Sequence, residues 1–215
     1  MSMIELRIEL PDHPGALAAV ARELARLEMN VVEIAIHEVD GSRAVDEIIV
    51  STRHDLDRGL LVTALAAAGA ELLSARSCQV RLDPVVASMT WLAESVDRPH
   101  DRQTLACGIQ AVTGIDDVQL VPAAVAADCD VCTAAIRRGR PVVQRVAEVP
   151  EFVAGAAAGP RWLLAAPDGP DPQWVVVATR AFSVRFTATE VRRLSAILDS
   201  RRHLLRAVVA AGAFS

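Results

Sequence analysis

The sequence predicts an α+β chain built as two units, and three observations carry that expectation. Residues 4–10 (Ile-Glu-Leu-Arg-Ile-Glu-Leu) alternate apolar and charged, the two-residue period of a half-buried strand. Directly after them, Leu17, Val20, Ala21, Leu24 and Leu27 recur at helical spacing and form one apolar stripe. Near the other end, Thr187-Ala188-Thr189-Glu190 is a capping box ahead of Val191, Leu194, Ile197, Leu198, Leu204, Leu205 and Val208, which predicts a long closing helix. A chain of 215 residues suits one large or two small domains. The boundaries expected are a first unit over residues 1–82, a helical linker over 83–100 and a second unit over 101–215.

Between the first strand and the first helix stands Asp12-His13-Pro14-Gly15. Pro14 removes an N–H donor and restricts His13 to extended geometry, and Gly15 lets the backbone turn tightly into the helix. A helix begun on such a turn presents unpaired N–H groups and a positive dipole end, suited to a small carboxylate. This is a binding device and contains nothing that performs chemistry. An ordinary strand–helix turn with Asp12 as the cap would account for the same residues. The next elements follow in order: a strand over Val31 to Val39, a hairpin turn at Asp40-Gly41-Ser42 and a strand over Ala44 to Ser51. Leu56, Leu60, Leu61, Ala64, Leu65 and Ala68 mark a second helix ending at Gly69, and Glu71 to Leu82 supply a fourth strand. Asn30, the only asparagine, precedes the second strand, where it could equally close a helix in the left-handed conformation.

The stretch "LPDHPGALAAVARELARLEMNVVEI" resembles an ACT domain, the small βαββαβ module that binds amino acids and regulates metabolic proteins; the resemblance covers about the first 80 residues. It implies a ferredoxin-like sheet with both helices on one face and the second strand at an edge, where a twin could add its own sheet. It further implies a homodimer with an amino acid at the junction, held by Asp12, His13, Pro14, Gly15, Ala16, Leu17, Asn30, Val31 and Val32. In that arrangement the N–H groups of Gly15, Ala16 and Leu17 hold the carboxylate and Asp12 takes the ammonium. Asn30, with Val32 backbone groups, closes the site from the partner chain. Leu10 is apolar where some amino-acid-binding members carry a polar ligand contact.

The second half reads as a helix over Val85 to Val96, a helix over Asp101 to Val112 ending at Gly114, a short strand over Val118 to Val121 and a helix over Ala123 to Arg138. Three strand-like runs follow at Pro141 to Val146, Trp162 to Ala166 and Trp174 to Thr179, separated by Gly/Pro-rich turns. The segments "RRGRPVVQRVAEVPEF", "GPRWLLAAP" and "WVVVATRAFSVRFTATEVRRLSAIL" are similar to those of a GAF domain, a second family of small-molecule sensors. That resemblance implies an α/β unit with a central antiparallel sheet and a long C-terminal helix. The Asn-Lys motif of cyclic-nucleotide-binding members cannot exist here, and the Cys-His pair of chromophore-bearing members is missing, which implies a degenerate, structural or dimerising version.

Composition removes whole classes of function. All 22 basic residues are arginine, so Schiff-base chemistry, a P-loop lysine and a lysine base are excluded. No Gly-x-Ser-x-Gly, His-Glu-x-x-His or Gly-x-Gly-x-x-Gly occurs. A net charge of −5 without a basic block argues against nucleic acid as partner. No apolar run is long enough to span a membrane and a strand begins almost at Met1, so neither membrane partner nor signal peptide is expected. Four unevenly spaced cysteines read as reduced thiols in the cytoplasm. Cys129-Asp130-Val131-Cys132 could be a redox pair or half a zinc site, but no second Cys-x-x-Cys follows, and Cys107 and His100 lack metal-ligand spacing. On a regular helix, flanked by Asp128 and Asp130 and with Arg137 and Arg138 at the far end, these thiols should be quiet. His37, His54 and His203 read as surface residues, and Trp91, Trp162 and Trp174 as core. The reading is a non-enzymatic regulatory protein without cofactor, metal or catalytic residues. Its rivals are a thiol-dependent redox enzyme or switch at Cys129/Cys132, and a purely structural dimerisation module.

Overall fold

The computed structural model describes residues 2–40, 42–55, 57–78, 84–115, 117–153, 155, 159–169, 172–181 and 184–211. It divides into two compact units, Met1–Arg81 and Leu82–Ser215. The first unit runs β1 (Ser2–Pro11), α1 (Ala16–Arg26), β2 (Asn30–Asp40), β3 (Arg43–Thr52), α2 (Arg58–Ala67) and β4 (Glu71–Cys78), the βαββαβ order expected. Its strands form one antiparallel-paired sheet in the order β2-β3-β1-β4, so β2 is an edge. Ile4, Leu6, Ile8 and Leu10 of β1 pack with Val20 and Leu24 of α1 and Leu61 and Leu65 of α2, which sets both helices on one face of the sheet. Each such buried Leu or Ile contributes about 1.5–3 kcal/mol, so this row of side chains dominates the unit's stability.

Helix α2 starts later than the periodicity indicates: Asp57 caps it, accepting from Gly59 N at 2.8 Å and Leu60 N at 3.1 Å. Leu56, Gly41 of the expected hairpin turn, and residues 79–82 of the expected fourth strand lie outside the described residues. Helix α1 ends in paired bonds, Glu28 N to Ala25 O at 3.0 Å and Met29 N to Leu24 O at 3.0 Å, with Glu28 at φ 56°. The left-handed residue is therefore Glu28, and Asn30 is already the first residue of β2.

The second unit runs α3 (Pro84–Asp97), α4 (Arg102–Thr113), β5 (Gln119–Pro122), α5 (Ala123–Ala126), α6 (Asp130–Arg138), β6 (Val142–Val146), β7 (Arg161–Pro167), β8 (Trp174–Ala181) and α7 (Ala188–Ala210). Its antiparallel sheet has the order β5-β8-β7-β6. Alternate residues of β7 and β8 serve two cores. Leu164, Ala166, Val176 and Ala178 pack with Trp91, Leu105, Ile109 and Leu194 of α3, α4 and α7. Leu163, Ala165, Val175 and Val177 pack with Ala126, Val131, Cys132 and Ala135 of α5 and α6. A sheet covered on both faces needs strands apolar at every position, which is why these two read as continuous runs.

Two differences from the sequence reading have clear physical reasons. The segment expected as a linker is α3, and its Ala87 and Trp91 are part of the second unit's core; Trp91 also donates Nε1–H to Leu105 O at 3.3 Å. The single helix expected over Ala123 to Arg138 is two. The chain turns at Ala127–Cys129, where Cys129 N bonds Ala126 O at 3.1 Å and Cys129 is extended at φ −113°, ψ 122°. Apolar periodicity continues across the turn because both short helices face the same core. The closing helix α7 carries the expected capping box, with both Thr187 and Glu190 bonds formed.

Candidate functional site

Pro11 pairs with Arg43 at the end of β1, and the chain then turns through residues 12–15, with Asp12 N bonded to Ser42 O at 2.7 Å. Asp12, His13, Pro14 and Gly15 are all exposed. Gly15 is the N-cap of α1 at φ 92°, a conformation that a residue with a β-carbon adopts only under strain, and no heavy atom lies within 4 Å of where a Cβ would stand. The open space at Gly15 is thus accessible to a ligand. No side chain caps this helix, so Asp12 is not the cap and its carboxylate stays available. His13 Nδ1 lies 3.1 Å from Pro14 O.

The N–H inventory of the turn corrects one expectation. Ala16 N donates to His13 O at 3.2 Å and so is already satisfied. The helical ladder begins with Ala19 N to Gly15 O at 3.0 Å, and among the described residues the N–H groups of Gly15, Leu17 and Ala18 have no acceptor. Gly15 and Leu17 of the expected set keep free donors; Ala18 replaces Ala16, because the tight turn closes a bond one residue inside the cap.

Asn30, Val31 and Val32 are not beside this turn within one chain. Asn30 pairs with Ser51, whereas the turn adjoins Arg43, eight positions back along β3. At about 3.3 Å per residue the two ends stand about 26 Å apart. Val31 packs against the core, while Val32, at 52% exposed, lies where the β2–β3 register shifts between Val31 and Glu33. Val32, Ile34 and Ile36 leave exposed aliphatic surface along the β2 edge.

Asn30 opens onto a cavity of about 430 Å³ lined by Glu28, Ser51, Thr52, Arg53 and His54 as well. His54 Nε2 contacts Glu28 Oε2 at 2.8 Å, and His54 N bonds Thr52 Oγ1 at 3.1 Å. Ser51 is buried, and its hydroxyl has no hydrogen-bond partner among the described residues. Nothing in the sequence marks Ser51 or Arg53, since a strand-end Ser-Thr-Arg-His carries no spacing signal; the isolated Asn30 is the one pointer to this cavity.

Cys129 and Cys132 occupy different helical positions from those expected. Cys129 is the N-cap of α6 and Cys132 lies in its first turn, the end where the dipole favours a thiolate. Burial opposes it: Cys132 is fully buried, and its thiol is pushed up to about 12 by burial first and the adjacent Cys129 second. Cys107 is exposed and Cys78 half-buried. Among the described residues, no three His, Cys, Asp or Glu side chains group so as to hold a metal ion, and no helix is long and apolar enough to cross a membrane. His54 and His203 are exposed; Trp91 is core, and Trp162 and Trp174 are half-buried under Arg145 at 6.0 Å and Arg102 at 4.7 Å. The side chain of His37 lies outside the described residues.

Residues 4–70 match the family model of the ACT domain, a module of small-molecule-binding regulatory proteins. No curated protein matches the chain. Among solved structures it is similar to an ACT domain protein from Streptococcus pneumoniae, at 18% identity and a TM-score of 0.31 over 35% of this chain and 89% of that one. It is similar to the ligand-free regulatory subunit of aspartate kinase from Thermus thermophilus, at 12% identity and a TM-score of 0.29 over 93% and 92% of the two chains. A formyltetrahydrofolate deformylase from Pseudomonas putida KT2440 is similar at 9% identity and a TM-score of 0.33, over 94% and 93%.

Proposed function

With an ACT domain at residues 4–70 as the premise, we propose that this protein is a non-enzymatic cytoplasmic regulator that binds an amino acid between two copies of its first unit. The second unit, read as GAF-like, receives the signal. The observation that carries this reading is the Asp12–Gly15 turn: exposed, left-handed at Gly15 and presenting the free N–H groups of Gly15, Leu17 and Ala18 beside the uncapping carboxylate of Asp12. Those donors suit an α-carboxylate and Asp12 suits an ammonium. Asn30 stands at the opposite end of the edge strand from the turn of its own chain, and an antiparallel β2–β2 pairing of two copies would bring it to the end of the partner's sheet that carries the turn. The exposed Val32, Ile34 and Ile36 give that edge apolar surface to bury. A ligand bridging two chains shifts their arrangement by its differential affinity for the two states.

Calorimetry with the twenty amino acids tests the site. Gly15→Val, a β-branched residue at φ 92°, should abolish binding, and Asn30→Ala should weaken it. Mixing the two variants should restore about a quarter of the wild-type sites, because half the dimers are mixed and one of their two junctions is intact. An amino acid that binds wild type and Gly15→Val equally would remove the turn from the site. A single species near 22.9 kDa in sedimentation at tens of micromolar (roughly, the range where a functional dimer should persist) would remove the junction.

A further inference from the structure

The cavity at the start of β2 is more than a seat for Asn30. Its lining carries side chains able to donate hydrogen bonds, Asn30, Ser51 and Arg53 among them. Ser51 is 3% exposed, and its hydroxyl has no partner among the described residues, an arrangement that costs free energy until an acceptor arrives. Arg53 is exposed and lines the same cavity, and its guanidinium has no ion-pair partner among the described residues. Asn30 adds an amide able to donate two hydrogens. The one carboxylate in the lining, Glu28, is already engaged by His54 at 2.8 Å. What these groups lack is an anionic oxygen acceptor, and a planar guanidinium fits a carboxylate in two-pronged fashion.

We propose that this cavity is the side-chain subsite of the ligand and that the ligand is an amino acid with an acidic side chain. Ser51 and Arg53 then bind the distal carboxylate, alongside Asn30. The proposal rests on the reading that Asn30 closes the amino-acid site from the partner chain. Under that reading, the free N–H groups at one chain's turn hold the α-carboxylate while the side chain enters the other chain's cavity. Two anionic groups on one small ligand would each meet a separate set of unsatisfied donors. Nonpolar ligands would leave the Ser51 hydroxyl without an acceptor and would displace water from Arg53 without replacing its hydrogen bonds, which is the physical basis of discrimination.

The test is calorimetric titration of the full chain with aspartate and glutamate against their neutral isosteres asparagine and glutamine. Wild type should bind one of the acids about 10-fold or more tighter than its amide. Arg53→Gln should erase that preference to within about twofold, the loss expected when one charged hydrogen-bond partner is removed. Arg53 is exposed, so the variant should fold; Ser51→Ala, smaller and uncharged, gives a second reading of the same cavity. The proposal is overturned if an amino acid binds in a Gly15-dependent way but shows no acid preference, or if Arg53→Gln and Ser51→Ala leave the preference intact. Acid binding that needs Arg53 but survives Gly15→Val would keep the cavity and reject the turn. No binding of any amino acid would reject both.

Discussion

Replacing Glu190 by alanine removes the acceptor at the centre of the second unit's buried polar cluster. The Glu190 carboxylate is fully buried, and it holds Arg180, 7% exposed, through contacts of 2.6 and 3.0 Å. It also accepts Thr187 N at 2.8 Å and Thr187 Oγ1 at 3.0 Å, closing the cap of α7. The variant therefore takes the carboxylate from a guanidinium in the interior and opens a helix terminus with one change. Breaking a buried ion pair by removing one partner costs about 3–5 kcal/mol, and losing a cap about 1 kcal/mol. One carboxylate performs both roles, so the two losses overlap and do not sum. Arg180 keeps its stack on Phe186 at 4.7 Å and longer bonds to Gly114 O and Arg185 O at 3.4 Å, which favours the lower end. The expected loss is about 3 kcal/mol, a large share of the 5–15 kcal/mol typical of a domain. Urea unfolding followed by tryptophan fluorescence measures it cleanly, because all three tryptophans lie in the second unit. An Arg180→Met/Glu190→Met double variant should recover most of the loss, since it leaves no buried charge alone. A Glu190→Ala midpoint within about 1 kcal/mol of wild type at unchanged slope would refute the reasoning, as would a double variant no more stable than the single.

Gly108→Ala would place a Cβ 1.4 Å from Trp91 Cδ1, so the indole must move; destabilisation of about 1–3 kcal/mol with altered near-ultraviolet dichroism is expected, and an unchanged spectrum would count against the packing described. Cys132, raised from 9.0 to about 12, stays protonated in the native protein where the unfolded chain ionises. Its contribution is complete below pH 9 and is lost as pH rises toward 12, so Cys132→Ser should flatten the alkaline arm of a stability–pH curve. In native alkylation followed by mass spectrometry, Cys107 should react first and Cys132 only on unfolding. Glu28→Gly relieves a left-handed residue at φ 56° and should raise stability by about 1 kcal/mol in chemical denaturation, the exposed pair to His54 mattering little.

Much of this protein is legible in local pattern. Alternation over residues 4–10, helical spacing over Leu17 to Leu27 and the Thr187–Glu190 box each report a contact within a few residues, and each element stands where that pattern puts it. The same holds for the turn at Asp12–Gly15, since Pro and Gly restrict or free the backbone by themselves. Tertiary structure decided what local pattern cannot carry. Periodicity runs unbroken from Ala123 to Arg138, because two short helices on one core face look like one, and so the sequence could not reveal that Cys129 is an N-cap. Composition made Val85 to Val96 a connection; the fit of Trp91 over Gly108 makes it core. Strand pairing sets Gly15 and Asn30 at opposite ends of one sheet, and it joins Ser51, with Arg53 just past the strand's end, to Asn30 from more than twenty residues away. Elements form from short-range periodicity and turn chemistry, whereas sites form from register, which only the folded sheet specifies.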